Sequence, residues 1–253
     1  MRFIGMVHLR TLPGYPQHKG MEDVVRIALA DAIALQEGGA DAILLENTYD
    51  DPHQKTVGPE TVAAMTLVAQ RIRDTVGLPL GICMLWNDYK ASLGIARAVG
   101  AQFVRIPVFT EAVLTSSGMI EGNPYDAITY RNSIGANGVR ILADVHVKHS
   151  TVLSQRPIGD SAREALSFGA DEVIITGKFT GDAPDLAKLR AVREACPMAL
   201  ICVGSGTTPE NVADLARYAD RFIVGTCLKN SKDLVDVEKV KSFRRRLDEL
   251  GLK

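Results

Sequence analysis

Residues 37–47 read EGGADAILLEN. A helix-ending glutamate, two glycines, a small residue and an acid lead into an apolar run that closes on Glu46-Asn47. The same grammar returns in VGAQFVRIP (99–107) and FGADEVIIT (168–176). It is the signature of a helix stopping and a strand starting. Its repetition implies parallel strands joined by helical crossovers.

Short apolar, β-branched runs occupy 3–8, 42–47, 80–85, 103–108, 139–147, 172–177, 199–204 and 221–226. Amphipathic helical stretches lie between and after them, near 21–37, 60–76, 89–99, 124–137, 159–168, 184–195, 208–218 and 234–249. Gly38-Gly39, Gly77, Gly100 and Gly169 follow helical stretches, where a left-handed cap is expected. Pro184 and Pro209 stand where a first-turn proline would, with Asp185 and Glu210 suiting the positive helix end. Eight βα units in 253 residues match an α/β fold, the (β/α)₈ TIM barrel, as one domain over residues 1–253. An open doubly wound sheet would not need eight units, and no GxGxxG follows the first strand.

The bulk numbers narrow the class of function. Hydrophobic residues make up 46% and charged residues 23%, which suits a globular chain with a sizeable core and excludes disorder. A net charge of −1 provides no field favouring nucleic acid or an anionic membrane. No apolar run is long enough to span a bilayer, and MRFIGMVHLR is too short for a signal peptide. Cys83, Cys196, Cys202 and Cys227 form no CxxC pair and read as buried thiols in a reducing cytoplasm.

In a barrel, the site forms where strands end. Two connections after strand ends are long, 47–59 and 109–123, as lids or binding loops are. Along RILADVHVKH (140–149), alternation puts Leu142, Asp144, His146 and Lys148 on one face. The other face, Ile141, Ala143, Val145 and Val147, is apolar and belongs against the helices. An inward Asp, His and Lys at successive alternate positions climb roughly 13 Å toward the mouth. They are candidates for acid–base chemistry, or else a structural ion network. Arg105 is a second inward cation, able to pair with Asp144 or Glu46 or to grip an anion. Strand two ends on Glu46 and Asn47, a potential base and a potential hydroxyl ligand, with the inward side undecided. His8, Thr176 and Lys178 stand at further strand ends, with Lys178 able to bind an anion or form a Schiff base. Asp144, His146, His149, His8 and Glu46 could ligate a divalent metal, but no HxH or HExxH supports one. No cofactor is called for.

The last two strand ends carry VGSGTTPEN (203–211) and IVGTCLK (223–229). Gly204, Ser205, Gly206, Thr207, Gly225 and Thr226 offer bare amides and small hydroxyls. Phosphate binds in many barrels between these two loops and a short extra helix, here expected near Thr226–Asn230. Tight turns are the plain alternative. The basic run FRRRL (243–247) sits beside Asp248 and Glu249 and reads as a solvated helix face.

GMVHLRTLPGYP, GADAILLENTYDDP, VGPETVAAM, ILADVHVKH, VGSGTTPEN and IVGTCLK together resemble the BtpA/SgcQ family over nearly the whole chain. The resemblance implies a phosphate-binding TIM barrel. One branch of that family is named for photosystem I biogenesis in cyanobacteria, and another occurs with sugar-uptake genes. Many members carry two prolines where this chain reads RTLP (10–13), a departure in the first loop. The expectation is an enzyme acting on a small phosphorylated ligand, a sugar or nucleoside phosphate, by isomerisation, aldol cleavage or glycosidic cleavage. The competing expectation is a non-catalytic assembly or regulatory factor. Neither a nucleic-acid partner nor stable membrane insertion is expected; a cytoplasmic homo-oligomer is.

Overall fold

The computed structural model describes residues 2–252. The barrel strands are β1 (Phe3–His8), β2 (Ala42–Glu46), β3 (Leu80–Cys83), β4 (Phe103–Ile106), β7 (Arg140–Val145), β9 (Glu172–Ile175), β10 (Ile201–Val203) and β11 (Arg221–Val224). All pair in parallel and close into a ring, with β1 between β2 and β11. Outside it run α1 (Met21–Glu37), α2 (Pro59–Thr75), α3 (Tyr89–Val99), α4 (Pro124–Ser133), α5 (Ile158–Ser167), α6 (Leu186–Ala195), α7 (Val212–Leu215) and α8 (Val237–Glu249). The expected (β/α)₈ barrel is the fold.

The repeated grammar has a mechanical reason. The polar residue opening each repeat reaches sideways and accepts an amide at the start of the preceding strand. Asp41 accepts from Phe3 N, Gln102 from Leu80 N and Asp171 from Ile141 N, at 2.7–2.9 Å. Asp220 does the same for Ile201 N at 2.9 Å. Each amide would otherwise be a strand-end donor without a ladder partner. The motif therefore pins neighbouring strands in register as well as marking a turn.

The core has two layers. The larger fills the space between strands and helices, with Phe3, Ile43, Val104, Ile141 and Phe222 facing outward. The smaller fills the lumen with Ile4, Met6, Leu44, Phe103, Leu142, Ile174 and Ile223. Gly81 is glycine because the Phe103 ring takes its side-chain space; a Cβ there would lie 2.0 Å from the ring. Below this layer Glu172, fully buried, is paired with Arg140 and Arg221 and plugs the barrel floor.

Several local readings are corrected. Gly39, Gly100 and Gly169 turn with positive φ; Gly38, with φ −81°, stays in the right-handed region, and Gly77 does not turn because α2 closes on an extended Val76. Asp185 is the N-cap of α6 and not a first-turn residue; its carboxylate accepts from Ala187 N at 2.8 Å. Pro209 lies in a turn ahead of α7, which begins only at Val212 and spans four residues. α7 therefore does not begin at the 204–208 loop. The extra helix after β11 is a 3-10 turn, Thr226–Leu228. The 109–123 connection is no plain loop. It folds as a hairpin, β5 (Ala112–Thr115) and β6 (Gly118–Glu121), and β5 also pairs with β8 (Thr151–Val152). This three-stranded cap rests on its own apolar cluster of Trp86, Val108, Val113, Ile120 and Val147.

Candidate active site

Above the apolar lumen layer sits a charged one. Glu46 faces in, following Ala42 and Leu44 on the inward row, and pairs in register with His8 on β1. Arg105 from β4 spans the barrel. Its Nε and Nη2 donate to the two oxygens of Asp144 at 2.8 Å each, and Nη1 reaches Glu46 Oε2 at 3.3 Å. Thr48 Oγ1 donates to the other Glu46 oxygen at 2.9 Å. All three charged side chains are nearly inaccessible to water. One guanidinium thus serves two carboxylates, and burial strengthens that attraction. Burial alone would raise the Glu46 carboxyl, but the adjacent Arg105 guanidinium overrides it and holds the group at about 2.

Lys148 stands at the rim of this layer, its backbone N–H held by Thr176 Oγ1 at 2.9 Å. Burial, then the repulsion of Arg105, pushes its ammonium below the usual lysine range. His8 is pushed down to about 4 by burial, against the pull of Glu46. The imidazole is therefore neutral at pH 7.

The His8 shift has a measurable consequence. Unfolded, the imidazole takes up its proton below about 6.5; folded, only near 4. Stability is full above the unfolded value and falls as pH drops through that window, by on the order of 3 kcal/mol for this group. The variant His8→Gln is expected to lose that much less stability than the parent between pH 7 and pH 4, in urea unfolding. Parallel pH profiles would show that His8 is not held neutral.

Two chambers open from the charged layer. One, of about 140 Å³, lies beneath the loops after β10 and β11 and is lined by His8, Gly204–Thr208, Gly225, Thr226 and Cys227. The other, of about 290 Å³, lies under the cap. Glu46, Arg105, Lys148 and Thr180 line both.

The small chamber is shaped by close backbone approaches. A Cβ on Gly204 would lie 2.4 Å from Ile174, and one on Gly225 2.9 Å from His8. Ser205 does not offer its hydroxyl freely: it accepts from Gly177 N at 2.8 Å and donates to the Asp182 carbonyl at 2.7 Å, tying two loops together. Thr207 is different. It is 3% exposed, and its Oγ1 has no hydrogen-bond partner. A buried, unpaired hydroxyl is costly and calls for an explanation.

Some expected site residues lie elsewhere. His146 leaves the inward row because β7 ends at Val145 and the histidine takes a positive φ of 51°, which breaks the alternation. Its ring turns toward Glu111 beneath the cap, at 3.3 Å, and its amide donates to the same carboxylate at 2.9 Å. Asn47 points away from the lumen and is occupied structurally. Its side chain receives the Leu85 amide at 2.7 Å and donates to Asp50 at 3.1 Å. Lys178 is exposed, with its ammonium over the Phe179 ring, and lines neither chamber. Thr176 holds Lys148 in place by its backbone. The candidate ligands for a metal do not converge: among the described residues no group of three His, Cys, Asp or Glu side chains could hold one. Between Glu46 and Asp144 the Arg105 guanidinium already occupies the place of a cation. Trp86, His53, Thr180 and Cys227 line the chambers without having been expected; only their location after strand ends hinted at it.

Among solved structures, the barrel resembles phosphoribosyl anthranilate isomerase from Thermus thermophilus, with a TM-score of 0.61 over 99% of this chain and all of the other, at 14% identity. A structure described as native KDPGal has a TM-score of 0.62 over 99% of this chain and 96% of the other, at 15% identity. At such identities the likeness concerns the fold. By sequence, an uncharacterized protein of Pyrococcus horikoshii is 42% identical over 89% of this chain and 86% of its own. The photosystem I biogenesis protein BtpA of Synechocystis is 37% identical over 99% of this chain and 88% of its own. The putative sgc region protein SgcQ of Escherichia coli is 32% identical over 96% and 93%. The family model for BtpA matches residues 2–249. With nearly its whole length matched, the chain belongs to the BtpA family.

Proposed function

We propose that this protein is an enzyme acting on a small phosphorylated substrate, its phosphate held between the β10 and β11 loops. The observation that carries this reading is Thr207, a residue of the small chamber's lining whose hydroxyl is buried and unpaired. The amides of Gly206 and Thr207 donate to no backbone carbonyl among the described residues. Both features suit an oxyanion with several acceptor atoms. A phosphate anchored there sets the rest of the substrate against Glu46 and Lys148. Lys148, its ammonium destabilised by burial, gives up its proton more readily than an ordinary lysine and is placed to move one. Arg105 and Asp144 hold the charge pattern rigid. This layout serves isomerisation, aldol cleavage or glycosidic cleavage of a sugar or nucleoside phosphate.

Calorimetric titration with inorganic phosphate tests the anchor. Thr207→Val removes the hydroxyl and keeps the shape. Phosphate binding is expected to weaken about tenfold, while the ligand-free variant keeps or gains stability, because an unpaired hydroxyl has left the interior. Equal affinity in parent and variant sinks the anchor. Turnover of a sugar-phosphate panel followed by NMR tests the chemistry. Lys148→Met is expected to lose about 10²–10⁴-fold.

The name of the Synechocystis relative, a photosystem I biogenesis protein, favours a second reading, a barrel that serves assembly without catalysis. No helix among the described residues is long and apolar enough to cross a membrane. On this reading Lys148→Met and Asp144→Asn would leave the biological role intact and no panel member would turn over.

A further inference from the structure

The large chamber is unlike the small one. Its back wall is apolar, made of Leu85, Trp86, Pro107 and Val147. Trp86 and Val147 are held by the satellite core under the cap, with Val113 and Ile120 of the hairpin behind them. The turn between β5 and β6 is latched in place, since Ser117 Oγ donates to the His53 carbonyl at 2.7 Å. The wall residues stand in the loops after β3, β4 and β7, and the inserted hairpin backs them from outside. At about 290 Å³ the chamber exceeds the roughly 150 Å³ that accommodates a benzene ring in an apolar cavity. The charged residues shared by both chambers stand between the two ends.

We propose that the site takes a two-part ligand: a phosphorylated sugar at the β10 and β11 loops, joined across the Glu46–Arg105–Lys148 row to a flat, weakly polar ring in the Trp86 chamber. This rests on the phosphate reading above and names the substrate class it implies, a ring-bearing glycoside phosphate. The cap then acts as a specificity element: without the hairpin, nothing would press Trp86 against a ring.

Glucose 6-phosphate and phenyl β-D-glucopyranoside 6-phosphate, titrated by calorimetry beside inorganic phosphate, test it. Trp86 is the only tryptophan in the chain, so its fluorescence reports the chamber directly. The phenyl compound is expected to bind at least about tenfold more tightly than glucose 6-phosphate and to shift the emission. Ser116→Phe fills the chamber from an exposed position on the hairpin turn, where folding should not suffer. In that variant the two sugar phosphates are expected to bind alike. Phosphate binding with no gain from the phenyl group, unchanged emission, or a gain that survives Ser116→Phe overturns the ring chamber while leaving the phosphate anchor standing. Failure of all three probes to bind overturns both.

Discussion

Arg105→Met is expected to destabilise the protein by about 3–5 kcal/mol at pH 7, the range for removing one partner of a buried ion pair. The side chain is 3% exposed and makes three charge-assisted hydrogen bonds. Methionine fills much of the volume, so the loss is electrostatic: two carboxylates remain buried without their cation. For a chain of this size that corresponds to a drop of roughly 10 °C in melting temperature. The deficit depends on pH with a definite sign. In the parent, Glu46 is held at about 2, below its ordinary value near 4.5. Its stabilising contribution is full above the ordinary value and is lost as pH falls through 2. The gap between parent and variant should therefore be widest at neutral pH and narrow in acid. Adding Asp144→Leu to Arg105→Met should recover part of the loss, since a second uncompensated charge is gone. Urea unfolding across pH measures all of this; a variant as stable as the parent at pH 7 would mean the pair contributes nothing.

Gly206→Ala is expected to cost about 3 kcal/mol and to reduce phosphate affinity by more than Thr207→Val does. Gly206 has a φ of 64°, and a Cβ would lie 2.1 Å from Ala183 N and 2.2 Å from the Asp182 carbonyl carbon. Those are backbone atoms of the neighbouring loop, so no side chain can swing aside. The two loops would have to part, taking the Ser205 tie to Asp182 with them. Gly181→Ala is the comparison. That glycine has φ 92° but open space around its missing Cβ, so only the backbone preference is lost, about 1 kcal/mol. Thermal unfolding of both variants separates the two effects. Equal costs would show that the loop contact is soft.

The charged layer was legible where strand alternation continued unbroken. Arg105 and Asp144 read as inward and meet in the lumen, where Glu46, whose side alternation left undecided, joins them. Alternation misled at His146, where a positive φ ends the strand two residues before the pattern of polar side chains does. It could not decide Asn47, whose partner Leu85 lies on the next unit. The cap leaves no sequence signal, because its strands are four residues or fewer, too short for a period to show.

By itself the sequence determined the barrel. Eight apolar runs, the helices between them and the repeated turn grammar are local features, and local features are what a linear chain displays; that its polar residue also pins the preceding strand shows only in the fold. Only the tertiary structure decided the site. The bridging of Glu46 and Asp144 by Arg105 brings together residues up to 98 positions apart, as far as Glu46 and Asp144 stand from each other (144 − 46). The orphaned Thr207 hydroxyl and the apolar wall of the Trp86 chamber likewise exist only once distant strand ends and the hairpin share one mouth. Burial and charge pairing are properties of neighbours in space, and those neighbours are set when the barrel closes.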